Sequence, residues 1–409
     1  MRILIVSKHF PDNLSTKVHG LYKRFQMFLD AIKDISEIDL LYYVPHGTNT
    51  SPSLVHQIER SFSTYFKVPI RLFLCSRKSP DKNLIAKFMS YVVGTFVFVR
   101  QPSYSSTAGS RQVQALESCL RYNPDAVFVH RLGAMCPLLQ TRRALPPVFF
   151  DLDDIEHIAF GRGLRYIRKT STRLLNYLLF PTLFWGEYKA IRLAHRTFVC
   201  SDKDREYLTN RWRLEGVVKV PNAVKIPSVQ PLTSEQTLLF LGSYNHKPNI
   251  DAAEFLIKKI WPLIHRELPG ATLIIAGSPP DRIPSYRAGT QGVRFAGFVK
   301  ELDYLYRQSR VVCAPILSGG GTRVKIIEAA AYAKPIVSTR IGAEGIEMQD
   351  GYEIFLRDAP KSFADTCIRL LNDHEFCLQM GAVARATVVD KYDQIKIKGL
   401  IQEIIKESL

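Results

Sequence analysis

Long hydrophobic runs and paired cysteines are both missing from this 409-residue chain. No stretch reaches the ~20 consecutive apolar residues that a helix needs to span a bilayer. The seven cysteines are scattered, odd in number and form no Cys-Xaa-Xaa-Cys pair. This pattern predicts reduced, buried thiols in a reducing compartment and argues against a zinc site or a disulfide framework.

Signals for two common ligand classes are absent as well. The first predicted strand runs into Lys8-His-Phe-Pro11 and not into Gly-Xaa-Gly-Xaa-Xaa-Gly, which argues against a nicotinamide oxidoreductase. The chain has no zinc-finger spacing, no recognisable nucleic-acid module and no run of pure Lys and Arg. Its formal net charge of +17 therefore indicates an anionic ligand or an anionic membrane surface before nucleic acid.

Two shorter apolar segments, Met89–Val99 and Leu174–Trp185, are expected to form core helices, the second interrupted by Pro181. The second segment follows a cationic stretch that contains Arg162, Arg165, Arg168, Lys169 and Arg173. The alternative is therefore that these residues lie on an anionic membrane surface. We expect a cytoplasmic protein, which would be peripheral at the membrane under the alternative.

β-rich runs alternate with helical patterns along the chain, as in the predicted strands Arg2–Ser7, Ala126–His130, Thr272–Ala276 and Val311–Ala314. Such alternation predicts parallel sheets covered by helices. A polar stretch with Pro221, Pro227 and Pro231 breaks the pattern and predicts a domain boundary. The sequence thus predicts an α/β fold with two Rossmann-like, doubly wound domains that face each other across a cleft. Their predicted bounds are 1–225 and 226–388. They are followed, within 389–409, by a final helix predicted from Asp390 to Leu409 that could cross back to the first domain.

The segment from Ala314 to Thr339 carries the strongest chemical signal. A predicted strand leads through Gly319, Gly320 and Gly321 into a helix, so the backbone can approach a phosphate closely and the first helical N–H groups can bind it. Arg323 and Lys325 follow in the predicted first turn, where cations oppose the helix dipole. A bound anion would resolve that conflict; a solvated Lys325 is the alternative.

Glu328 precedes three alanines, and this composition indicates close helix packing. A carboxylate buried there without partners would be costly. We therefore expect Glu328 to accept hydrogen bonds, either from the ribose hydroxyls of a nucleotide or from a neighbouring Arg or Lys.

Several segments of the C-terminal half together resemble one family. They are Gly319–Thr322, Glu328-Ala-Ala-Ala331, Pro335-Ile-Val337, Gly342-Ala-Glu-Gly345, Phe240–Ser243 with Pro248-Asn249, Gly297-Phe-Val299 and Val220-Pro-Asn-Ala223. In combination they resemble the retaining glycosyltransferases called family 4, which belong to the glycosyl transferases of group 1 and have the two-Rossmann GT-B fold. In the N-terminal half the resemblance rests on the opening strand and its loop.

The resemblance implies transfer of a sugar from a UDP- or GDP-sugar donor to a glycan, lipid-linked or other hydroxyl acceptor in cell-surface glycan synthesis. The second domain would bind the donor and the first the acceptor. No metal or cofactor is expected, because cations and helix dipoles stabilise the departing diphosphate. The implied catalytic residues are His130, Arg323 and Lys325, and the implied donor site comprises Gly20, Gly242, Ser243, Lys247, Phe298, Val299, Gly319, Gly320, Gly321, Thr322 and Glu328.

Two positions depart from the family pattern. Members often have two Glu residues separated by seven positions, and Gly320 occupies the first position here. The Arg expected after the first strand of the second domain is absent and Lys247 matches only in part, so Arg323 and Lys325 would supply the charge. A non-catalytic binding or partner protein of the same fold therefore stays open as an alternative. A nucleotide-sugar epimerase is disfavoured by the Ser-Gly-Gly-Gly-Thr-Arg-Xaa-Lys run.

In the first domain, His130 is expected near the donor sugar, with His157 as the alternative. Lys23 and Arg24 are expected either to add positive potential near the donor phosphates or to form the solvated face of the first helix. The segment Asp151-Leu-Asp-Asp154 contains the Asp-Xaa-Asp pattern of a metal site. We expect it to line the cleft on the acceptor side or to be structural.

Overall fold

The computed structural model describes residues 1–9, 20–79, 83–164, 170–229 and 231–409. These residues form two compact units, one of residues 1–220 with 398–409 and one of residues 221–397. The loop before Gly20, and the cations expected at Arg165, Arg168 and Lys169, lie outside the described residues.

The first unit is built on seven parallel strands. They are β1 (Arg2–Ser7), β2 (Glu37–Val44), β3 (Ile70–Ser76), β4 (Ala126–His130), β5 (Val148–Asp153), β6 (Arg196–Val199) and β7 (Val217–Lys219). The helices are α1 (Gly20–Ile32), α2 (Pro52–Phe66), α3 (Leu84–Gly94), α4 (Ser110–Leu120), α5 (Leu132–Met135), α6 (Glu156–Leu164), α7 (Thr170–Leu193) and α8 (Asp202–Glu206). The strand order is β3-β2-β1-β4-β5-β6-β7, with every pair parallel.

The second unit has six parallel strands. They are β8 (Thr237–Leu241), β9 (Thr272–Ala276), β10 (Val293–Gly297), β11 (Val311–Ala314), β12 (Ile336–Ser338) and β13 (Phe355–Leu356). The helices are α9 (Lys247–Phe255), α10 (Trp261–Glu267), α11 (Leu302–Gln308), α12 (Val324–Ala331), α13 (Pro360–Asn372), α14 (His374–Lys391) and α15 (Gln394–Glu407), with a π-helical turn at Leu256–Ile260 between α9 and α10. The order is β10-β9-β8-β11-β12-β13.

Both sheets reverse their strand order at one point, between β1 and β4 in the first unit and between β8 and β11 in the second. The central strands are buried on both faces, which is why they are continuous apolar runs in the sequence. In open parallel sheets, ligands bind beyond the carboxyl ends of the strands at this reversal point. The prediction of an α/β chain with two Rossmann-like domains is confirmed.

The predicted final helix from Asp390 is wrong at its start. α14 ends at Lys391 and α15 begins at Gln394, because Asp393 pairs with Val224 and interrupts the helix. The end of α15 packs within the first unit, where the Gln402 side chain donates to the Ala31 carbonyl at 3.0 Å.

The prediction that both apolar segments form core helices is also wrong. α3 and α7 are surface helices, and each turns large apolar side chains such as Phe88 and Trp185 towards solvent. α7 continues through Pro181, which lies on its exposed side. Across the described ranges, no helix combines the length and the apolar character needed to cross a bilayer.

Candidate functional site

The glycine-rich loop lies at the reversal point of the second sheet, between β11 and α12. Gly319 and Gly321 have φ values of 107° and 70°, a backbone region that side-chain-bearing residues rarely adopt. Arg323 is the extended N-cap residue (φ −90°, ψ 96°), so the prediction that it lies in the first helical turn is wrong. The loop therefore delivers the chain to the N-terminus of α12, where the helix dipole favours an anion.

Arg323 folds back onto this loop. Its Nη1 donates to the carbonyl oxygens of Gly320 and Gly321, and its Nη2 lies 3.5 Å from the carbonyl oxygen of Ser318. The guanidinium thereby holds the loop in shape and adds positive charge beside the helix N-terminus.

Lys325 lies at the carboxyl end of β8, where it is half-buried and its ammonium is hydrogen-bonded to protein groups, so the alternative of a solvated side chain is wrong. Its ammonium donates to the Leu241 carbonyl and, at 2.9 Å, to Asn249 Oδ1, and it lies 4.6 Å from the centre of the Phe240 ring. Burial and the nearby Arg323 charge lower the pKa of Lys325 to about 7. The charged form of Lys325 is therefore destabilised in the free protein, and an anion bound beside it would stabilise that form.

The loop after β8 is fixed by its own hydrogen bonds. The Gly242 N–H donates to the Ala276 carbonyl at 3.0 Å, and the Asn249 side chain donates to the Ser243 carbonyl at 2.9 Å. Lys247, which follows, is exposed and forms an ion pair with Asp251 one helical turn later. The hydrogen bonds of Asn249 thus link the loop of Gly242 and Ser243 to the Lys325 ammonium. The Lys247 ammonium is instead paired with Asp251.

Gly277 is a site residue that the sequence analysis missed. Its φ is 133°, and a Cβ placed on it would lie 1.7 Å from the Gly242 carbonyl oxygen. The two loops that follow β8 and β9 can approach each other because residue 277 lacks a side chain. A glycine directly after the predicted strand Thr272–Ala276 was the available signal.

Thr322 is tied to the segment that opens the second unit. Asn222 Nδ2 donates to Thr322 Oγ1 at 2.6 Å, and both side chains are buried. Thr322 therefore braces the base of the glycine loop, which explains why the Val220-Pro-Asn-Ala223 segment accompanies that loop in the sequence.

Two further predicted donor-site residues differ in exposure. Phe298 follows Gly297 at the end of β10, and its ring is 52% exposed, whereas Val299 packs against the buried core. Phe298 can therefore offer a ring face to a planar ligand, and Val299 anchors the loop.

Glu328 lies one turn after Lys325 on α12 and is half-buried. Its negative charge raises the pKa of Lys325 and partly offsets the effect of Arg323. The alanines that follow it are fully buried, as the Ala-rich pattern predicted.

In the first unit, His130 ends β4 at the reversal point. The sheet register pairs it with Ser7 on β1 and with Asp151 on β5. Its Nδ1 lies 3.0 Å from Asp151 Oδ2, and within the described part of the chain its buried Nε2 has no hydrogen-bond partner. Asp151 thus fixes the ring and leaves Nε2 available.

Asp151 is also ion-paired with Arg24 of α1. The Arg24 Nη2 lies 2.7 Å from Asp151 Oδ1, and Arg24 Nη1 donates to the Val220 carbonyl at 2.9 Å. Arg24 is 1% exposed, so the prediction of a solvated helix face is wrong for this residue. Although burial opposes ionisation of Asp151, Arg24 and His130 hold its pKa below the ordinary value.

The remaining carboxylates of the Asp151–Asp154 segment are paired with Arg131. Its Nη2 lies 3.2 Å from Asp153 Oδ2 and 3.1 Å from Asp154 Oδ2. Arg131 and Asp153 have φ values of 66° and 63°, which is strained backbone for residues other than glycine. Such strain at the carboxyl ends of two neighbouring strands, β4 and β5, marks this edge as a candidate functional site.

The two other histidines of this region have different surroundings. His157 is held by the Glu187 carboxylate and by Tyr207 Oη, 2.9 Å from its Nε2, so the structure does not bring it to Asp151 beside His130. His9, which the sequence analysis missed, follows β1 with its ring centre 5.6 Å from that of His130. Burial and His130 lower the pKa of His9 to about 2, so it is neutral at physiological pH.

Comparison with known proteins agrees with this geometry. Residues 235–373 match the model of the family described as glycosyl transferases group 1. The second unit is a group 1 glycosyl transferase domain. The matched residues include β8, the glycine loop and α12, so the family match covers the site built above.

Similar proteins extend the comparison beyond that domain. The phosphatidyl-myo-inositol mannosyltransferase of Mycolicibacterium smegmatis is 27% identical over 215 residues, which are 48% of this chain and 54% of that protein. The chain spans about half the length of the curated relatives it matches.

Two solved structures are similar over nearly the whole chain. Anabaena HepE in complex with UDP and glucose superposes with a TM-score of 0.65, at 13% identity, over 99% of each chain. S. aureus TarM in complex with fondaparinux, alpha-GlcNAc-glycerol and UDP superposes with a TM-score of 0.66, at 13% identity, over 98% of this chain and 99% of the other. At this identity the likeness establishes the shared GT-B fold.

Proposed function

We propose that the protein is a retaining glycosyltransferase that moves a sugar from a UDP- or GDP-sugar to a hydroxyl acceptor. The acceptor is a glycan or a lipid-linked glycan of the cell surface, and the reaction takes place in the cytoplasm. The observation that carries the proposal is the convergence of the glycine loop, the α12 N-terminus and the buried Lys325 ammonium at the reversal point of the second sheet.

The donor diphosphate has three sources of positive potential in this arrangement. The α12 dipole, the Lys325 ammonium and the Arg323 guanidinium all lie at the glycine loop. Charge that develops on the departing diphosphate is stabilised best by cations and dipoles that are already in position. In a retaining transfer, the bond from the anomeric carbon to the diphosphate breaks while the acceptor oxygen bonds to the same face of that carbon, and the acceptor hydroxyl proton passes to the departing diphosphate oxygen.

The rest of the nucleotide would use the neighbouring loops. Phe298 offers an exposed ring to the base, and Glu328 offers a carboxylate to the ribose hydroxyls. The similar Anabaena and S. aureus structures are complexes that contain UDP, and this supports a nucleotide ligand for the same fold. The mannosyltransferase name of two similar proteins supports sugar transfer.

We further propose that transfer needs no metal ion. The three carboxylates of Asp151–Asp154, which contain the Asp-Xaa-Asp pattern, are each ion-paired with Arg24 or Arg131. The cations at the glycine loop supply the phosphate charge compensation that a divalent ion would otherwise give.

His130 is assigned to the transfer step in this proposal. Its Nδ1 is held by Asp151 and its Nε2 is available. We expect His130→Ala to lower turnover by about 10²-fold or more, typical of a positioned proton-transfer or hydrogen-bonding group. The affinity for UDP, measured by calorimetry, should change little, because the nucleotide is assigned to the second unit. An equal loss of UDP affinity would contradict this division of roles.

A panel of nucleotide sugars tests the function itself. We expect one donor to raise the melting temperature and to be slowly hydrolysed in the presence of EDTA. Lys325→Ala should abolish both effects, whereas Lys258→Ala, at an exposed ion-paired lysine of the same unit, should preserve them. Thermal stabilisation without hydrolysis would favour a non-catalytic binding protein, and absence of any response would reject the proposal.

A further inference from the structure

The apolar pattern of α3 points away from the protein core. Large apolar residues recur three and four positions apart and are exposed at Ile85, Phe88, Met89, Val92 and Val93, and Phe96 directly after the helix is 81% exposed. This spacing is the apolar stripe of an amphipathic helix, which normally faces a core. The described part of the stripe is therefore exposed to solvent.

α7 adds a second stripe beside the first. Leu174, Tyr177, Leu178 and Trp185 are exposed along one side of this 24-residue helix, whereas Leu179 and Leu183 on the other side are buried. The helices are joined by hydrogen bonds. Thr182 Oγ1 donates to the Thr95 carbonyl at 2.5 Å, and the Gln101 side chain donates to the Leu179 carbonyl at 2.8 Å. We call the exposed apolar residues of α3 and α7, with Phe96, the α3–α7 surface.

The charges beside the α3–α7 surface have one sign. Lys87 is the charged residue of α3, and the exposed stripe of α7 continues after Trp185 into Lys189 and Arg192. The acidic residue of α7, Glu187, is buried and accepts a hydrogen bond from the Glu156 N–H at 2.6 Å. Apolar side chains flanked by cations match the surface of an anionic bilayer, with its acyl chains and phosphate groups.

An open groove of about 1030 Å³ continues this surface beyond Trp185. Apolar residues such as Leu145 and Leu193 line it, and Arg143, Lys189 and Arg192 lie at its rim. The groove therefore repeats the combination of apolar lining and positive charge at the same end of α7.

We propose that the α3–α7 surface docks onto an anionic lipid bilayer, with the exposed residues of α3 and Phe96 inserted among the acyl chains. The other side of α7 packs on the first unit and α3 contacts α7, so the two helices lie in the membrane interface while the rest of the unit stays in water. This inference goes beyond the proposed function and holds whether or not the chain transfers a sugar.

Flotation with phospholipid vesicles tests the proposal. The full chain should float with vesicles of phosphatidylcholine and phosphatidylglycerol at low ionic strength. Binding should weaken with added salt, because salt screens the lysines and arginines from the lipid phosphates. Failure to float with anionic vesicles at low ionic strength would overturn the proposal.

Matched variants distinguish binding through the α3–α7 surface from nonspecific adsorption to the vesicles. Phe96→Ser should weaken vesicle partitioning about tenfold, which corresponds to about 1.4 kcal/mol. Ile395→Ser, at an 80% exposed position on α15, should leave it unchanged. Arg192→Glu should weaken partitioning at least about fivefold, and Lys361→Glu, at an exposed position on α13, should not. Equal binding by Phe96→Ser and the parent protein would refute the assignment.

Sedimentation velocity without lipid tests the alternative that the α3–α7 surface binds a second copy of the chain. If the chain dimerises in a concentration-dependent manner and Phe96→Ser abolishes the dimer, the surface pairs with a second copy and the membrane proposal is wrong. A monomer that floats with anionic vesicles supports it.

Discussion

Replacing Lys325 by Met should stabilise the free protein and weaken nucleotide binding, two effects of opposite sign. The pKa of Lys325 is lowered from 10.5 to about 7 by burial and by Arg323. The unfolded chain therefore binds more protons between pH 7 and 10.5, and the cost of burying the ammonium is fully present below pH 7. At 1.36 kcal/mol per pKa unit, this cost at pH 7 is on the order of 4 kcal/mol.

The variant also loses two hydrogen bonds, those to the Leu241 carbonyl and to Asn249 Oδ1. Because Lys325 is about half neutral at pH 7, each is counted at about 1 kcal/mol, the value for a hydrogen bond without a full charge. The free energy of unfolding of Lys325→Met at pH 7 should therefore rise by roughly 2 kcal/mol, because the removed burial cost exceeds the lost bonds. Urea unfolding at pH 7 and at pH 9.5 measures this, and the gain should shrink at the higher pH.

The affinity for the nucleotide should fall in the Lys325→Met variant, although its stability rises. A hydrogen bond to a charged group contributes about 1.5–3 kcal/mol, so UDP or GDP should bind roughly 10- to 150-fold more weakly to Lys325→Met. Isothermal titration calorimetry on both proteins gives the comparison. A variant that unfolds more easily than the parent and binds the nucleotide equally well would refute the reasoning, because Lys325 would then be a structural lysine.

Three further outcomes follow from the same geometry. Nucleotide binding should favour the charged lysine at position 325, so affinity should fall by up to about tenfold per pH unit above about pH 7, as calorimetry across that range would show. Gly277→Ala forces a Cβ towards the Gly242 carbonyl and should destabilise the protein by about 3 kcal/mol or more in urea unfolding, whereas Gly270→Ala, with open space around its Cα, should not. Asp151→Asn removes the nearer of two carboxylates that pair with the buried Arg24, 2.7 Å away against 3.4 Å for Asp153, and should cost about 3 kcal/mol in the same assay, against less than about 1 kcal/mol for Asp202→Asn at a more exposed ion pair.

The parallel strands of both units could be predicted closely from sequence. Runs such as Arg2–Ser7, Ala126–His130, Thr272–Ala276 and Val311–Ala314 are strands with the predicted bounds, because strands buried on both faces must be apolar throughout. The glycine-rich loop could also be predicted, because the positive φ values at Gly319 and Gly321 strongly favour glycine at these positions.

The surface helices could not be predicted in the same way. An apolar run such as Met89–Val99 predicts burial, yet α3 turns its stripe outwards, and sequence periodicity alone does not say which neighbour a stripe meets. Contacts between residues that are distant in sequence could not be predicted either. Arg24 is bonded to Asp151 across 127 positions, and Gly277 is required by the backbone of the loop after β8.

The central claim is sugar transfer with retention from a nucleotide-sugar donor without a metal ion. It is tested most directly by ¹H NMR of donor turnover in EDTA, using the donor that stabilises the protein against heat. The account predicts that the newly formed product carries the same anomeric configuration as the donor and that Lys325→Met forms it far more slowly. Product of inverted configuration, or turnover that depends on added divalent metal, would contradict the account.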